Sequence, residues 1–131
     1  MAKKVTPFLM FEGRAEEAMK FYVATIKDSR IDAIDRYGPE GPGPEGSVRT
    51  ATMTLAGQSV MCIDSPAKHA FTFTPATSFF VECESVEELD ELYAALSGDG
   101  KALMPPDNYG FSKKFTWIAD RFGVSWQLNW A

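Results

Sequence analysis

The feature that most constrains this 131-residue chain is an internal repeat. Phe11–Tyr22 follows a short apolar run and has a helical pattern, and so does Cys83–Tyr93 later in the chain. Each helix-like segment is followed by strand-like runs, and each half closes on a glycine-led hydrophobic strand, Gly57–Asp64 and Gly123–Trp130. A unit of this size cannot bury its own apolar face, so two copies are expected to pack together.

Periodicity supplies the elements. Ala15, Ala18, Met19 and Tyr22 fall at i, i+3, i+4 and i+7, which draws one apolar stripe on a helix over residues 15–26. Val86, Leu89, Leu92 or Tyr93, and Leu96 draw a second, started by a Ser85/Glu88 capping box and stopped at Gly98 and Gly100. Strands are expected at 5–11, 31–37, 48–55, 59–64, 77–83, 101–103, 115–119 and 124–130, with Ile31, Ala33 and Asp35 on one face of the second. The Pro/Gly-rich 38–46 segment is a loop, either a hairpin excursion or a lid, and 104–114, with two prolines, is a second loop. The order βαβββ, twice, predicts an α+β fold of two modules, 1–65 and 76–131, joined by a 65–75 link within one domain of residues 1–131. Three consecutive antiparallel strands after each helix exclude a doubly wound parallel sheet.

Composition narrows function by exclusion. A net charge of -5 with no basic stripe argues against nucleic acid. No apolar run is long enough to span a bilayer, so no membrane partner is expected. The start lacks a signal-peptide core, and Cys62 and Cys83 lie in strand-like segments, so the expected setting is the reducing cytoplasm. No glycine-rich phosphate loop, Walker sequence or dinucleotide motif is present.

Strand alternation nominates a pocket lining. In the last strand Val124, Trp126, Leu128 and Trp130 form an apolar side expected to meet a helix, leaving Ser125, Gln127 and Asn129 on the inward side. In the fifth strand Ser78, Phe80 and Glu82 share the inward side. Phe80, Trp117, Tyr109 and Phe111 read either as an aromatic wall for a planar ligand or as core. Tyr37, Tyr109 and Phe111 flank or sit in the two loops that would close as lids. Cys62 is either a nucleophile or a small buried hydrophobe. Asp64 is either a base or cation anchor, or a turn or cap residue. Glu82, if inward, is a second carboxylate beside it. His69, the only imidazole, falls in the link.

Several stretches together resemble the PhnB-like branch, labelled 3-demethylubiquinone-9 3-methyltransferase domain, of the vicinal oxygen chelate superfamily (glyoxalase, bleomycin resistance, dioxygenase). They are residues 6–11 with Ala15–Ala18 and Phe21–Tyr22, then Tyr37–Gly38, 41–48, 71–75, and 117–127. The resemblance implies a paired βαβββ fold, a cup-shaped, mostly antiparallel sheet with helices outside, a small molecule in the cup, and a homodimer. It also implies four positions where metal-dependent members carry ligands. Here these are Thr6 or Pro7, Cys62 or Asp64, Ser78 in the place of a histidine, and Gln127 in the place of the final glutamate. That set has no imidazole and at most one hard anion, so no metal and no other cofactor is expected. The favoured function is a metal-independent small-molecule binding protein with its ligand pocket at Cys62, Asp64, Ser78, Phe80, Trp117, Gln127 and Asn129. The alternatives are an enzyme of lyase, isomerase or dioxygenase type acting on a small oxygen-bearing substrate, possibly with a divalent metal, and an interaction subunit whose cavity is packed shut. No catalytic residue is assigned, and neither ligand identity nor pathway follows from the sequence.

Overall fold

The structure is a computed structural model describing residues 1–131. The chain divides into two compact units, Met1–His69 and Ala70–Ala131, and the divide falls inside the segment read as a link. The first unit runs β1 (Phe8–Phe11), α1 (Ala15–Thr25), β2 (Arg30–Arg36), β3 (Val48–Leu55) and β4 (Gln58–Asp64). The second runs β5 (Ser78–Glu82), α2 (Val86–Ser97), β6 (Lys101–Asp107), β7 (Lys114–Ala119) and β8 (Ser125–Trp130). Backbone pairing makes two four-stranded sheets, ordered β1-β4-β3-β2 and β5-β8-β7-β6, so the two modules share one strand order. Each sheet is mixed. Its first and last strands pair in parallel and the remaining pairs are antiparallel.

In the first unit α1 packs on β2, β3 and β4. Its stripe of Ala15, Ala18, Met19 and Tyr22 is fully buried, as are Met53, Val60 and Cys62 of the sheet. Each large apolar side chain so buried contributes roughly 1.5–3 kcal/mol. In the second unit α2 packs on β6, β7 and β8. Leu92, rather than Tyr93, completes its buried stripe with Leu89 and Leu96. Ile118, Trp126 and Leu128 supply the facing sheet core.

Two expectations change, and one open alternative is decided. Ile31 and Ala33 do not share a face: the register shifts between them, so Ile31 opposes Met53, Ala33 opposes Thr52 and Ile34 opposes Ala51. A bulge at Asp32 breaks strict alternation and puts Ile34 beside Ile31 instead. The expected 101–103 strand continues to Asp107 through Pro105 and Pro106. Proline is tolerated there because β6 is an edge strand with one unpaired side, and its register to β7 shifts across that stretch. The 38–46 loop is a hairpin excursion closed at its base, where the Tyr37 N–H donates to Ser47 O and the Gly46 N–H donates to Tyr37 O, both at 2.9 Å.

Candidate functional site

Helix side and open side of each sheet are told apart by contacts. In the second unit the Lys114 ammonium pairs with Asp90 of α2 at 2.7 Å, so Lys114 and its register partner Trp130 lie on the helix side. Alternation then puts Phe115, Trp117, Ser125, Gln127, Asn129, Ser78, Phe80 and Glu82 on the open side. Register arranges them in three rows across β5, β8 and β7: Ser78, Ser125, Ala119; Phe80, Gln127, Trp117; Glu82, Asn129, Phe115.

The first two rows are tied into one polar network. The Trp117 indole N–H donates to Ser125 Oγ at 2.8 Å, Ser125 Oγ and Ser78 Oγ lie 2.6 Å apart, and Gln127 Nε2 donates to Ser78 Oγ at 3.2 Å. Whichever serine donates to the other, one hydroxyl hydrogen is left over, and Gln127 keeps its amide oxygen and a second N–H. The arrangement therefore offers a ligand neutral donors and acceptors held by a locked indole. No titrating group belongs to it, so it can orient polar atoms but cannot take up a proton at neutral pH.

An aromatic patch borders the third row. Phe115, buried, lies 6.4 Å from Phe80, 6.1 Å from Tyr109 and 4.9 Å from Phe111, centroid to centroid. Tyr109 and Phe111 stack at 6.5 Å, and the Tyr109 hydroxyl donates to Pro105 O at 2.5 Å, which holds the loop over the sheet edge. Phe80, Tyr109 and Phe111 stay exposed. Phe115, which joins the other three rings, was missed by the sequence reading. Its parity with Trp117 in β7 was the available signal.

Cys62 and Asp64 do not belong to an open face. Asp64 Oδ1 accepts from the Gly13 and Ala15 N–H groups at 2.8 and 2.9 Å, and Oδ2 accepts from the Val48 N–H at 3.0 Å. The carboxylate therefore points at the start of α1, and Cys62, two residues earlier on β4, shares that side. Both are buried. Burial, with the Asp64 charge adding to it, pushes the Cys62 thiol up to about 12, so it carries almost no thiolate. Of the two readings open for each, Cys62 is the small buried hydrophobe and Asp64 the capping carboxylate, and their place in a pocket lining on the side of the sheet away from the helix is corrected. Tyr37 is likewise corrected from lid to support: it is buried, its hydroxyl donates to Asp64 O at 3.3 Å, and its ring packs where a side chain on Gly43 would sit.

Asp64 also borders a pocket of about 180 Å³ in the first unit, with Glu12, Gly13, Ser47, Ser65 and Lys68. Near it His69 Nε2 lies 2.8 Å from Ser65 Oγ, which accepts from the Ala67 N–H at 3.2 Å. This is a local turn that fixes the ring.

Three of the four positions at which metal-dependent members carry ligands do not fit a metal. Ser78 and Gln127 are adjacent on one face, but they are neutral and bonded to each other. Cys62 and Asp64 face α1, with both Asp64 oxygens committed to backbone N–H groups. No group of three or more His, Cys, Asp or Glu side chains is gathered anywhere. The thiol of Cys83 is pushed up to about 11 by burial and by the Glu88 charge.

Comparison with known proteins agrees with the geometry at the level of family and fold. The model of a family described as 3-demethylubiquinone-9 3-methyltransferase matches residues 3–129. The solved structure of the PhnB protein of Bacillus cereus is 56% identical, covers 98% of this chain and 100% of its own, and superposes with a TM-score of 0.96. Protein YjdN of Escherichia coli (strain K12) is 22% identical over 138 residues, 95% of this chain and 93% of that protein. A glyoxylase/bleomycin resistance protein/dioxygenase domain from Frankia sp. EAN1pec is 15% identical over all of this chain and 93% of its own, with a TM-score of 0.65, a likeness of fold.

Proposed function

The chain belongs to the 3-demethylubiquinone-9 3-methyltransferase family, on the fold shared with glyoxalase and bleomycin-resistance proteins, and from that premise we propose that it binds a small molecule without a metal. The ligand lies on the open face of the second sheet, over Ser78, Gln127 and Trp117, flanked by Phe80, Tyr109 and Phe111. One observation carries this reading: a locked network of neutral hydrogen-bonding groups stands beside exposed aromatic rings. Apolar contact supplies binding energy and the few fixed polar atoms set orientation.

The protein works as a homodimer in a reducing compartment. Both cysteines are free and buried, and no helix is long and apolar enough to cross a membrane.

The test is a thermal-shift screen of a metabolite and drug-like library in the presence of EDTA, on the parent and on Gln127→Ala. A ligand at a thousandfold excess over its Kd raises stability by about 4 kcal/mol. A hit that survives EDTA and fades in Gln127→Ala supports the reading. Hits that all vanish with EDTA favour the metal-dependent enzyme. Size-exclusion chromatography showing a monomer at working concentration would remove the dimer.

A further inference from the structure

Building on the small-molecule reading, we infer that the ligand is a flat, neutral molecule carrying a carbonyl oxygen, and that this oxygen sits on the open side of the Ser78–Gln127 pair. The network there has a direction, set by a member that can only donate. The Trp117 indole N–H gives its hydrogen to Ser125 Oγ at 2.8 Å. Ser125 is 2% exposed, and the acceptor within reach of its own hydroxyl hydrogen is Ser78 Oγ, 2.6 Å away. If Ser78 donated instead, the Ser125 hydrogen would be buried with nothing to meet. Buried donors left unpaired are strongly disfavoured, so Ser125 donates to Ser78.

Ser78 Oγ then accepts twice, from Ser125 and from Gln127 Nε2 at 3.2 Å. Both of its lone pairs are used, and its own hydrogen has no acceptor in the protein. Ser78 is half-buried on the open face, and the second Gln127 N–H stands beside it. With the Gln127 amide turned over, Ser78 would donate to it and Gln127 would present both of its N–H groups. In either arrangement the pair presents two hydrogens to the open side. A ligand atom placed there has to accept. An ammonium would set hydrogens against hydrogens, whereas a carbonyl oxygen has two lone pairs for two donors. A carboxylate would bring a charge that this uncharged network does not balance. The Gln127 amide oxygen stays open to an N–H elsewhere on the same molecule or to water. The flat body follows from the row. The register partners of Gln127 are Phe80 on β5 and Trp117 on β7, so an aromatic side chain borders the polar pair on each side, and Phe80 is 54% exposed. An aromatic body resting against those rings brings its carbonyl edge to Ser78 and Gln127.

The probe is coumarin, a neutral fused-ring lactone whose carbonyl oxygen accepts and which has no hydrogen to donate. It is compared, by ligand-observed NMR titration of the unaltered protein, with chromene, the same rings without the carbonyl, and with indole, a flat ring that only donates. Coumarin is expected to bind roughly tenfold more tightly than either. The infrared carbonyl band of bound coumarin should lie at lower frequency than in a hydrocarbon solvent, because two donors weaken the C=O bond. Ser78→Ala should lose part of that shift and weaken binding roughly fivefold, and Ser78→Thr, which keeps the hydroxyl, should restore both. Equal affinity for coumarin and chromene, tighter binding of indole, a bound carbonyl band at its hydrocarbon position, or no coumarin binding at all would overturn the inference. If coumarin fails while a library compound without a carbonyl stabilises the parent but not Gln127→Ala, the carbonyl is wrong and the small-molecule reading stands. If nothing in the library binds either, both fall.

Discussion

Asp64 shows how one residue type serves structure where the sequence leaves structure and function equally open. A carboxylate at the end of a strand beside a loop looks the same on paper whether it waits for a ligand or ties the chain together. Three backbone N–H groups at 2.8–3.0 Å decide it. Asp120 repeats the device in the second unit, accepting from the Phe122 and Val124 N–H groups and from the Trp126 indole. Replacing Asp64 by Asn sets an amide N–H against backbone donors, and should cost about 3 kcal/mol in urea unfolding. A loss under 1 kcal/mol would return Asp64 to the ligand candidates. Cys62 should resist iodoacetamide at pH 8 in the folded protein and react once unfolded, because burial has pushed its thiol to about 12. Gly100 has a steric role: a Cβ there would sit 2.3 Å from Ala119 O, so Gly100→Ala should destabilise by roughly 2 kcal/mol or more, read from the same unfolding curves.

Helices proved more readable than strands, for a physical reason. A helix stripe depends on spacing within one segment, so the α1 stripe and the Ser85 cap followed from local pattern. Even there, the helix starts hold contacts that the stripe and cap pattern did not name. In α2 the Glu88 carboxylate accepts from the Glu84 N–H, one residue before the cap, and α1 has no side-chain cap of its own because Asp64 from β4 takes that place. Strand faces depend on a partner's register, which is why the bulge in β2 and the proline-bearing edge of β6 escaped. Ser85→Ala should cost about 1 kcal/mol through the lost cap. Between elements, the Arg36 guanidinium of β2 bonds Glu16 of α1 and holds its carboxyl down to about 2, with Lys20 adding to the effect. A carboxyl depressed in the folded state stabilises above its ordinary value near 4.5, and the contribution fades as pH falls towards 2. The pair is exposed enough that it is worth at most about 1 kcal/mol. Glu16→Gln should therefore flatten part of the acid limb in a pH series of melting curves while leaving stability above pH 6 lower by that amount.

At the scale of the whole chain, the repeat was the part of the fold that the sequence carried most plainly, since each module is assembled from its own contiguous elements. The shared face of Ser78, Phe80, Gln127 and Asn129 was also visible, because β8 alternates without a bulge, and Trp117 joins them through the register of β7. Which side of the first module's sheet meets its helix was not visible. Cys62 and Asp64 have the parity of the helix side, and nothing in a single sequence says which side of β4 meets α1. The central claim is that the second sheet's open face takes a small molecule with no metal between. Its most direct measurement is the side-chain amide NMR spectrum of Gln127 and Asn129, in EDTA, as the best-stabilising library compound is titrated in. Saturable shifts of both amides at one common Kd are the predicted result. Amides that stay fixed while the compound binds elsewhere, or shifts that appear only when a divalent metal replaces the EDTA, would contradict it.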